Sequence, residues 1–464
     1  REKNFRLEEE KKMNAFQVMM TSSKKKSQDS KKKKSVFDML MSNRTTKSTT
    51  KSKRKGRRPI FKRKKKSKQK SFPPKHKRVK LTKELLVLVD AFEYAIPHVQ
   101  KGIVLNMLTH FHSDHYGGLD KNYSSKVQIL CNEITGNLAA QELRVCKSHL
   151  RILPMNTYVP LSNRVDVAMI DANHCPGAAI ALFRVKQKES FRYVLHTGDF
   201  RYTPKCHLCH PLLSSICIDT VYLDDTYCGT SHRFPNQDLV LSQVKNAALR
   251  EVSKYKRVLF LFGAYAIGKE KVFLTVAEQF KQSKIFVERS RKRRFELFKW
   301  SRKLLARFTN NPSVSNIHVV TMGKCRDPAK YAEKWSKRYD AVVTFVPTGW
   351  TFKMTGAKNI KWFQRPNRRT HGTLQIVKYL VPYSEHSSFD ELVQFVNDFN
   401  PKTIVCTVNV SRQNYSVKLL RGEATDRRVN GDYDDDDDDQ EEEVVLDESK
   451  EKSDLGRLLS IAAD

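Results

Sequence analysis

From Leu85 onward, short apolar runs with the length of buried strands recur along the chain. Leu85–Val89 (LLVLV) and Ile103–Leu108 (IVLNML) come first. Runs of four to eight such residues between polar stretches read as strands. Further runs predict strands at Val127–Cys131, Val165–Ile170, Tyr193–Leu195, Thr220–Leu223, Val258–Phe262, Ile317–Thr321, Ala341–Phe345, Thr373–Val377 and Thr403–Thr407. Between several of them the pattern predicts helices, at Ile134–Leu143, Gln237–Lys254, Lys271–Gln282, Ala329–Lys337 and Phe389–Asn400. Strands alternating with helices imply an α/β architecture. The pattern fails at both ends. Residues 1–80 are lysine- and serine-rich with few apolar positions, and 432–443 (DYDDDDDDQEEE) is one acidic run. Neither can offset its ordering entropy, so both are expected to be disordered.

Charge sharpens this picture. The 464 residues hold 86 Lys+Arg and 50 Asp+Glu, a formal charge of +36. Residues 1–80 contribute 31 basic and 6 acidic residues, and 432–464 contribute 3 basic and 15 acidic ones. The middle therefore stays basic as well, which implies a polyanionic partner for the folded part. The runs at Lys31–Lys34 and Lys62–Lys66 suit nuclear import or nucleic-acid tethering, so a nuclear protein is expected. No run approaches the ~18 apolar residues of a membrane span, and the charged start shows no secretory pattern. The nine cysteines form no regular framework, which fits a reducing, intracellular setting.

The chemistry concentrates after the strand at 103–108, in Thr109-His110-Phe111-His112-Ser113-Asp114-His115. Imidazole nitrogens and carboxylate oxygens suit zinc and similar cations. His110 and His112 alternate, so on extended backbone they face one way. A turn at Ser113 would carry Asp114 and His115 to a second cation beside the first. Two more strand-like runs end in candidate ligands, His174 in DANHCPGA and Asp199 in HTGDF. Strand ends are where α/β folds gather their sites, and a carboxylate such as Asp199 can bridge two cations ~3.5–4 Å apart. His196 points to the other side of its strand and reads as structural. Asp90 closes the first strand and is expected to hydrogen-bond a ligand loop.

HFHSDH, DANHCPGA and HTGDF resemble the motifs of the metallo-β-lactamase fold, with Asp90 at its first aspartate. YLDDTYC, with Asp224, and PYSEHSSF, with His386, resemble the β-CASP branch, which acts on nucleic acids. Together with GAYAIGKEKVF and VPTGWT they are similar to the DNA cross-link repair 1A (Pso2-type) nucleases, relatives of Artemis and Apollo, from about Leu85 to Val410. The resemblance implies an αβ/βα sandwich with a β-CASP insertion. It divides the chain into 1–80, 81–226, 227–372 (the insertion), 373–420 and 421–464. It implies one zinc on His110, His112, His174 and Asp199, and a second zinc or other divalent cation on Asp114, His115, Asp199 and His386. Catalytic roles follow for Asp114, Asp224 and His386. The implied activity is DNA 5′-exonuclease action in interstrand cross-link repair, on single strands or 5′-phosphate ends. An RNA-processing endonuclease and a silent nucleic-acid scaffold are the alternatives. Cys406-Thr407-Val408-Asn409-Val410 lacks the histidine common in RNA-cleaving members, which favours DNA.

Two motifs point elsewhere. Gly263 to Lys269 fits the phosphate-binding pattern G-x-x-x-x-G-K, but Glu270 stands where Mg²⁺ needs a hydroxyl. ATP binding is therefore not expected. Lys269 at a helix start is still suited to a substrate phosphate, and with Ser384 in Ser384–Ser388 it forms the expected pocket for a terminal 5′-phosphate. Cys206-His207-Leu208-Cys209-His210 has the spacing of haem attachment but reads as a surface loop.

Overall fold

The computed structural model describes residues 72–97, 102–349, 367–371 and 373–424, all within one compact unit. The basic runs at 31–34 and 62–66 and the acidic run at 432–443 lie outside the described residues. Three sheets organise the described chain. The first contains β1 (Arg78–Lys80), β2 (Leu85–Val89), β3 (Ile103–Met107), β4 (Ile129–Asn132) and β5 (Leu150–Leu153), in that order, parallel from β2 onward. The second is built from β6 (Val159–Ser162), β7 (Val165–Asp171), β8 (Ala179–Lys186), β9 (Phe191–His196) and β10 (Thr220–Leu223).

The chain then leaves to form a seven-stranded sheet. It comprises β11 (Val258–Ala264), β12 (Lys284–Phe286), β13 (Phe308–Thr309), β14 (Ser315–Thr321), β15 (Ala341–Pro347), β16 (Asn367–His371) and β17 (Leu374–Val381). Its order is β13-β12-β14-β11-β15-β17-β16. The chain returns with β18 (Thr403–Cys406), which pairs parallel to β10 and extends the second sheet.

Val87, Met107, Val167 and Phe183 belong to the core cluster shared by the first two sheets. Helix α1 (Glu133–Glu142) covers the outer face of the first sheet with Leu138 and Ala139, while the next helices, α2 (Gln237–Lys254) and α3 (Glu270–Gln279), pack in the same cluster with β11. Helix α4 (Arg289–Phe295) follows β12. On the far side of the second sheet, α5 (Phe389–Phe399) buries Leu392, Phe395 and Phe399 beside Leu223 and Ile404. The result is an αβ/βα sandwich carrying an inserted α/β unit. Helix α5 starts cleanly because Ser388 and Glu391 form a reciprocal capping box.

Two expected boundaries move. The basic tail was expected through residue 80, but Lys75–Lys77 makes a 3-10 turn and Arg78–Lys80 pairs antiparallel with β2. The reason is Val79, which is fully buried, while its charged neighbours Arg78 and Lys80 suit an edge strand. The insertion was expected to end at 372. That position falls between β16 and β17, which both lie in the seven-stranded sheet, so by sheet membership the insertion runs to Val381. Strand β8 is absent from the sequence-based expectation, although its first five residues are buried.

Candidate metal centre

Every candidate ligand sits just past the C-terminal end of a strand. Asp90 follows β2, the Thr109–His115 turn follows β3, His174 follows β7, Asp199 follows β9, Asp224 follows β10 and His386 follows β17. The expected turn at Ser113 forms: the His112 carbonyl accepts from the amides of His115 and Tyr116, both at 3.1 Å. Gly198, at φ +53, lets the Asp199 loop pass against Thr109, where a Cβ would stand 2.9 Å from that side chain.

Four donor atoms converge first. His112 Nδ1 lies 3.0 Å from His110 Nε2 and 3.1 Å from His174 Nε2. Asp199 Oδ2 is 3.7 Å from His110 Nε2 and 3.8 Å from His174 Nε2. A tetrahedron with arms of about 2.0–2.1 Å has edges of roughly 3.3 Å, so these spacings suit one zinc-sized cation. A second group shares Asp199 Oδ2. His115 Nε2 is 3.2 Å and His386 Nε2 3.8 Å from it, and Asp114 Oδ2 is 3.7 Å from His115 Nε2.

The back of each imidazole decides the chemistry. His110 Nδ1 faces Thr109 Oγ1 at 3.0 Å, His112 Nε2 the Ile267 carbonyl at 3.4 Å, His115 Nδ1 the Asp90 carboxylate at 2.7 Å, His174 Nδ1 the Glu385 carbonyl at 2.8 Å, and His386 Nδ1 the Asp224 carboxylate at 2.8 Å. The Thr109 hydroxyl itself donates to Asp90 at 2.6 Å, leaving its lone pairs for His110. Each outer nitrogen thus has an acceptor, so a ring in its neutral form turns a lone pair inward. This arrangement orients metal-binding histidines, and the donor set fits cations.

Charge follows the same geometry. Burial first, then neighbouring histidines, hold His110 and His174 well below the ordinary imidazole range. Burial also pulls on His115, but Asp199 and Asp90 outweigh it and raise that ring well above its usual value. His386 is held up at about 9 against burial by Asp224 and Asp199. Asp199 in turn is held well below the carboxylate range, against burial, by His115 and His386. Those ring protons neutralise the carboxylate, a role that cations on Asp199 would take over.

Asp90 is the support expected from the sequence. It adopts φ 49 and accepts from Thr109 N, Thr109 Oγ1 and His115 Nδ1. Lys77 Nζ fastens its carbonyl at 2.6 Å. Asp224 is buried and accepts from Phe200 N, Thr226 and His386, so it stands behind the His386 ring rather than among the converging donor atoms. His196 stays outside the cluster, stacked on Tyr222.

The expected phosphate pocket lies where the Lys269 turn meets the Ser384–Ser388 loop. The two loops do meet, but their charges are already engaged. Lys269, at φ 69 before α3, is buried with Nζ 3.3 Å from Glu385 Oε2, and its amide donates to Glu385 Oε1 at 2.6 Å. The Ser384 hydroxyl donates to the His386 carbonyl and accepts from the His386 amide, both at 3.0 Å. Both side chains thus have partners within the protein. The Cys206–His210 loop is also less superficial than expected, because His207 is buried on the Asp171 and Thr203 carbonyls.

Sequence reasoning missed Glu385 and Arg201. Arg201 is fully buried, bidentate on Glu391, and donates to the carbonyls of Ser384 and Pro235. It anchors the loop that carries His386. Its position two residues after Asp199 was the available signal. Cys175 Sγ also lies within 4.8 Å of the His110, His112 and His174 ligand atoms, and burial pushes its thiol well up.

Residues 302–412 match the family model described as DNA repair metallo-beta-lactamase. The chain is 38% identical over 326 residues to the DNA cross-link repair 1A protein of Gallus gallus, covering 69% of this chain and 32% of that one. It is 36% identical over 323 residues to the DNA cross-link repair protein SNM1 of Arabidopsis thaliana, covering 69% and 63%. To the 5' exonuclease Apollo of Gallus gallus it is 30% identical over 304 residues, covering 66% and 58%. It thus spans about a third of the length of the first of these relatives. With the candidate ligand motifs at strand ends and these relatives matched over about two thirds of its residues, the chain belongs to the DNA cross-link repair 1A (SNM1/Pso2) family of metallo-β-lactamase proteins.

Proposed function

We propose that the protein is a metal-dependent DNA 5′-exonuclease that hydrolyses phosphodiester bonds in nuclear interstrand cross-link repair. The carrying observation is the ring of inward-facing imidazole nitrogens around Asp199, each backed by an acceptor. Relatives named for cross-link repair and for 5′ exonuclease action support the substrate class and the direction. His110, His112, His174 and Asp199 would hold one zinc. Asp114, His115, Asp199 and His386 would hold a second zinc or another divalent cation.

Bound there, the cations supply Lewis acidity and an activated water for in-line attack on phosphorus. The chain's own contribution is orientation. Asp90 fixes His115 and, through Thr109, His110; the Glu385 carbonyl fixes His174; Asp224 fixes His386. Asp114 is 77% exposed at its side chain, so it forms the open side where a phosphodiester enters. His386 stands beside Asp199 with Asp224 behind it, which suits a proton donor to the leaving oxygen whenever it is not a ligand.

The test uses 3′-labelled and 5′-labelled DNA strands with zinc or other divalent cations, before and after chelation. Stepwise shortening of 3′-labelled strands and early loss of a 5′ label as mononucleotide are expected, with chelation abolishing both. Shortening from the 3′ end, or cleavage indifferent to chelation, would sink the proposal. A matched RNA strand cut faster than DNA would favour the RNA-processing alternative.

A further inference from the structure

Phe72, Phe191 and Tyr265 are the aromatic side chains among the exposed large hydrophobic residues described. The first two lie under arginines, Arg78 at 5.0 Å and Arg184 at 4.9 Å from the ring centres. Tyr265 is 49% exposed and has no ring or cation over it among the described residues.

Its mounting is specific. Tyr265 directly follows β11, whose seven residues are all buried. The buried Arg291 of α4 donates to the carbonyls of Ala264 and Tyr265, which fixes the backbone under the ring. Two residues on, Ile267 is buried again, and its carbonyl receives His112 Nε2 at 3.4 Å. Two residues span at most about 7 Å of chain, so the Tyr265 backbone stands within that reach of the residue whose carbonyl meets His112. Tyr227 packs 6.0 Å from the His386 ring, and the Tyr265 phenol adds to the upward push that burial gives the Tyr227 phenol, which reaches about 12.

An exposed aromatic face held rigidly beside a phosphodiester-cutting centre is what a nucleobase stacks on, whatever its sequence, because every base offers a flat π-face. We propose that Tyr265 is a base platform: its ring stacks on one nucleobase of the strand whose phosphodiester lies at the metal centre. This rests on the nuclease reading above. Stacking away from the reacting atoms contributes to binding in ground and transition state alike, so its loss raises KM and leaves kcat unchanged.

The experiment uses the full chain with zinc and a series of 3′-labelled DNA strands, each carrying one abasic residue at a successive position from the 5′ end. For the parent protein, KM is expected to rise about 10-fold at one position of the series, the effect of one lost stack. Tyr265→Ala is expected to raise KM about 10-fold on the intact strand and to flatten the abasic profile. Tyr265→Phe, which keeps the ring, is expected to retain both the low KM and the peak. A flat profile in the parent overturns the platform without any variant. So does an unchanged peak in Tyr265→Ala with zinc content retained. If Tyr265→Ala does not fold, the parent profile and the Phe variant decide. A zinc-loaded parent that cuts no strand removes the nuclease reading and the platform with it, whereas cutting with a flat profile removes the platform alone.

Discussion

The turn at Thr109–His115 and the segment Gly263–Lys269 both lie at the buried C-terminal end of a strand, and both carry residue patterns associated with binding ions. They end in opposite states. In the first, the outer nitrogens are hydrogen-bonded to acceptors and the inner ones crowd together around one another and Asp199, as ligands of a shared cation would. In the second, Lys269 is already paired with Glu385, and the Gly268 amide donates to Glu270 at 2.7 Å. A motif supplies donors or charges, but a site exists only where the fold leaves them unspent. The second turn still matters to the first, because Ile267 lends its carbonyl to His112, and Glu385, the partner of Lys269, lends its own to His174.

The largest effect that could break this contrast is at the first turn. His112→Ala removes the nitrogen nearest to both His110 and His174, and is expected to lose bound metal and to slow cleavage by about 10³-fold or more. Metal content by mass spectrometry of the native protein checks it, and retention of metal and activity together would reverse the comparison.

At the second turn, Lys269→Ala leaves the Glu385 carboxylate buried without its partner. A loss of roughly 3–5 kcal/mol in stability is expected, read from denaturant melts. Any preference for 5′-phosphate over 5′-hydroxyl strands should persist in the variant. A selective loss of that preference with stability unchanged would return Lys269 to the substrate.

Glu270 sharpens the same point. Its carboxyl is raised to about 7 by burial first and by Glu385 next. A carboxyl with a folded-state value above its unfolded one releases its proton first in the unfolded chain. Stability therefore falls as pH rises from about 4.5 to 7 and levels off above, by on the order of 3 kcal/mol in total. Glu270→Gln should flatten that fall, which melts of the metal-free protein at pH 5 and 7.5 would reveal. An identical slope in parent and variant would contradict the assignment.

Behind the first turn, Asp90→Asn weakens the carboxylate that orients His115 and Thr109. Metal affinity is expected to drop about 10–100-fold while the fold persists, measured by competition with a chelating dye. The smallest effect concerns Lys77, which holds the Asp90 carbonyl. Lys77→Met should cost about 1 kcal/mol, the net value of a typical hydrogen bond. Deleting residues 1–71 should spare the centre, whereas deleting residues 1–80 should destabilise it, because β1 and Lys77 go with them. Equal melting temperatures for the two truncations would show that β1 adds nothing.

The sequence by itself determined the α/β class, most strands and the identity of the clustered residues. Those features are local: apolar runs of strand length specify strands such as β2, β11 and β15, and six closely spaced residues after β3 hold four potential ligands. Helix α2 matches its expected span because its buried Val240, Val244 and Ala247 keep helical spacing. Strand β1 was hidden because a single buried valine between basic residues gives no periodic signal. Tertiary structure alone decided which donors face inward and which charges are free. Lys269 and Glu385 are 116 residues apart in the chain yet neutralise each other, while His386 is carried to Asp199 by a chain leaving a different sheet. Hydrogen bonds and ion pairs act through distances of a few ångströms in space, and no local pattern encodes which distant partner will arrive there.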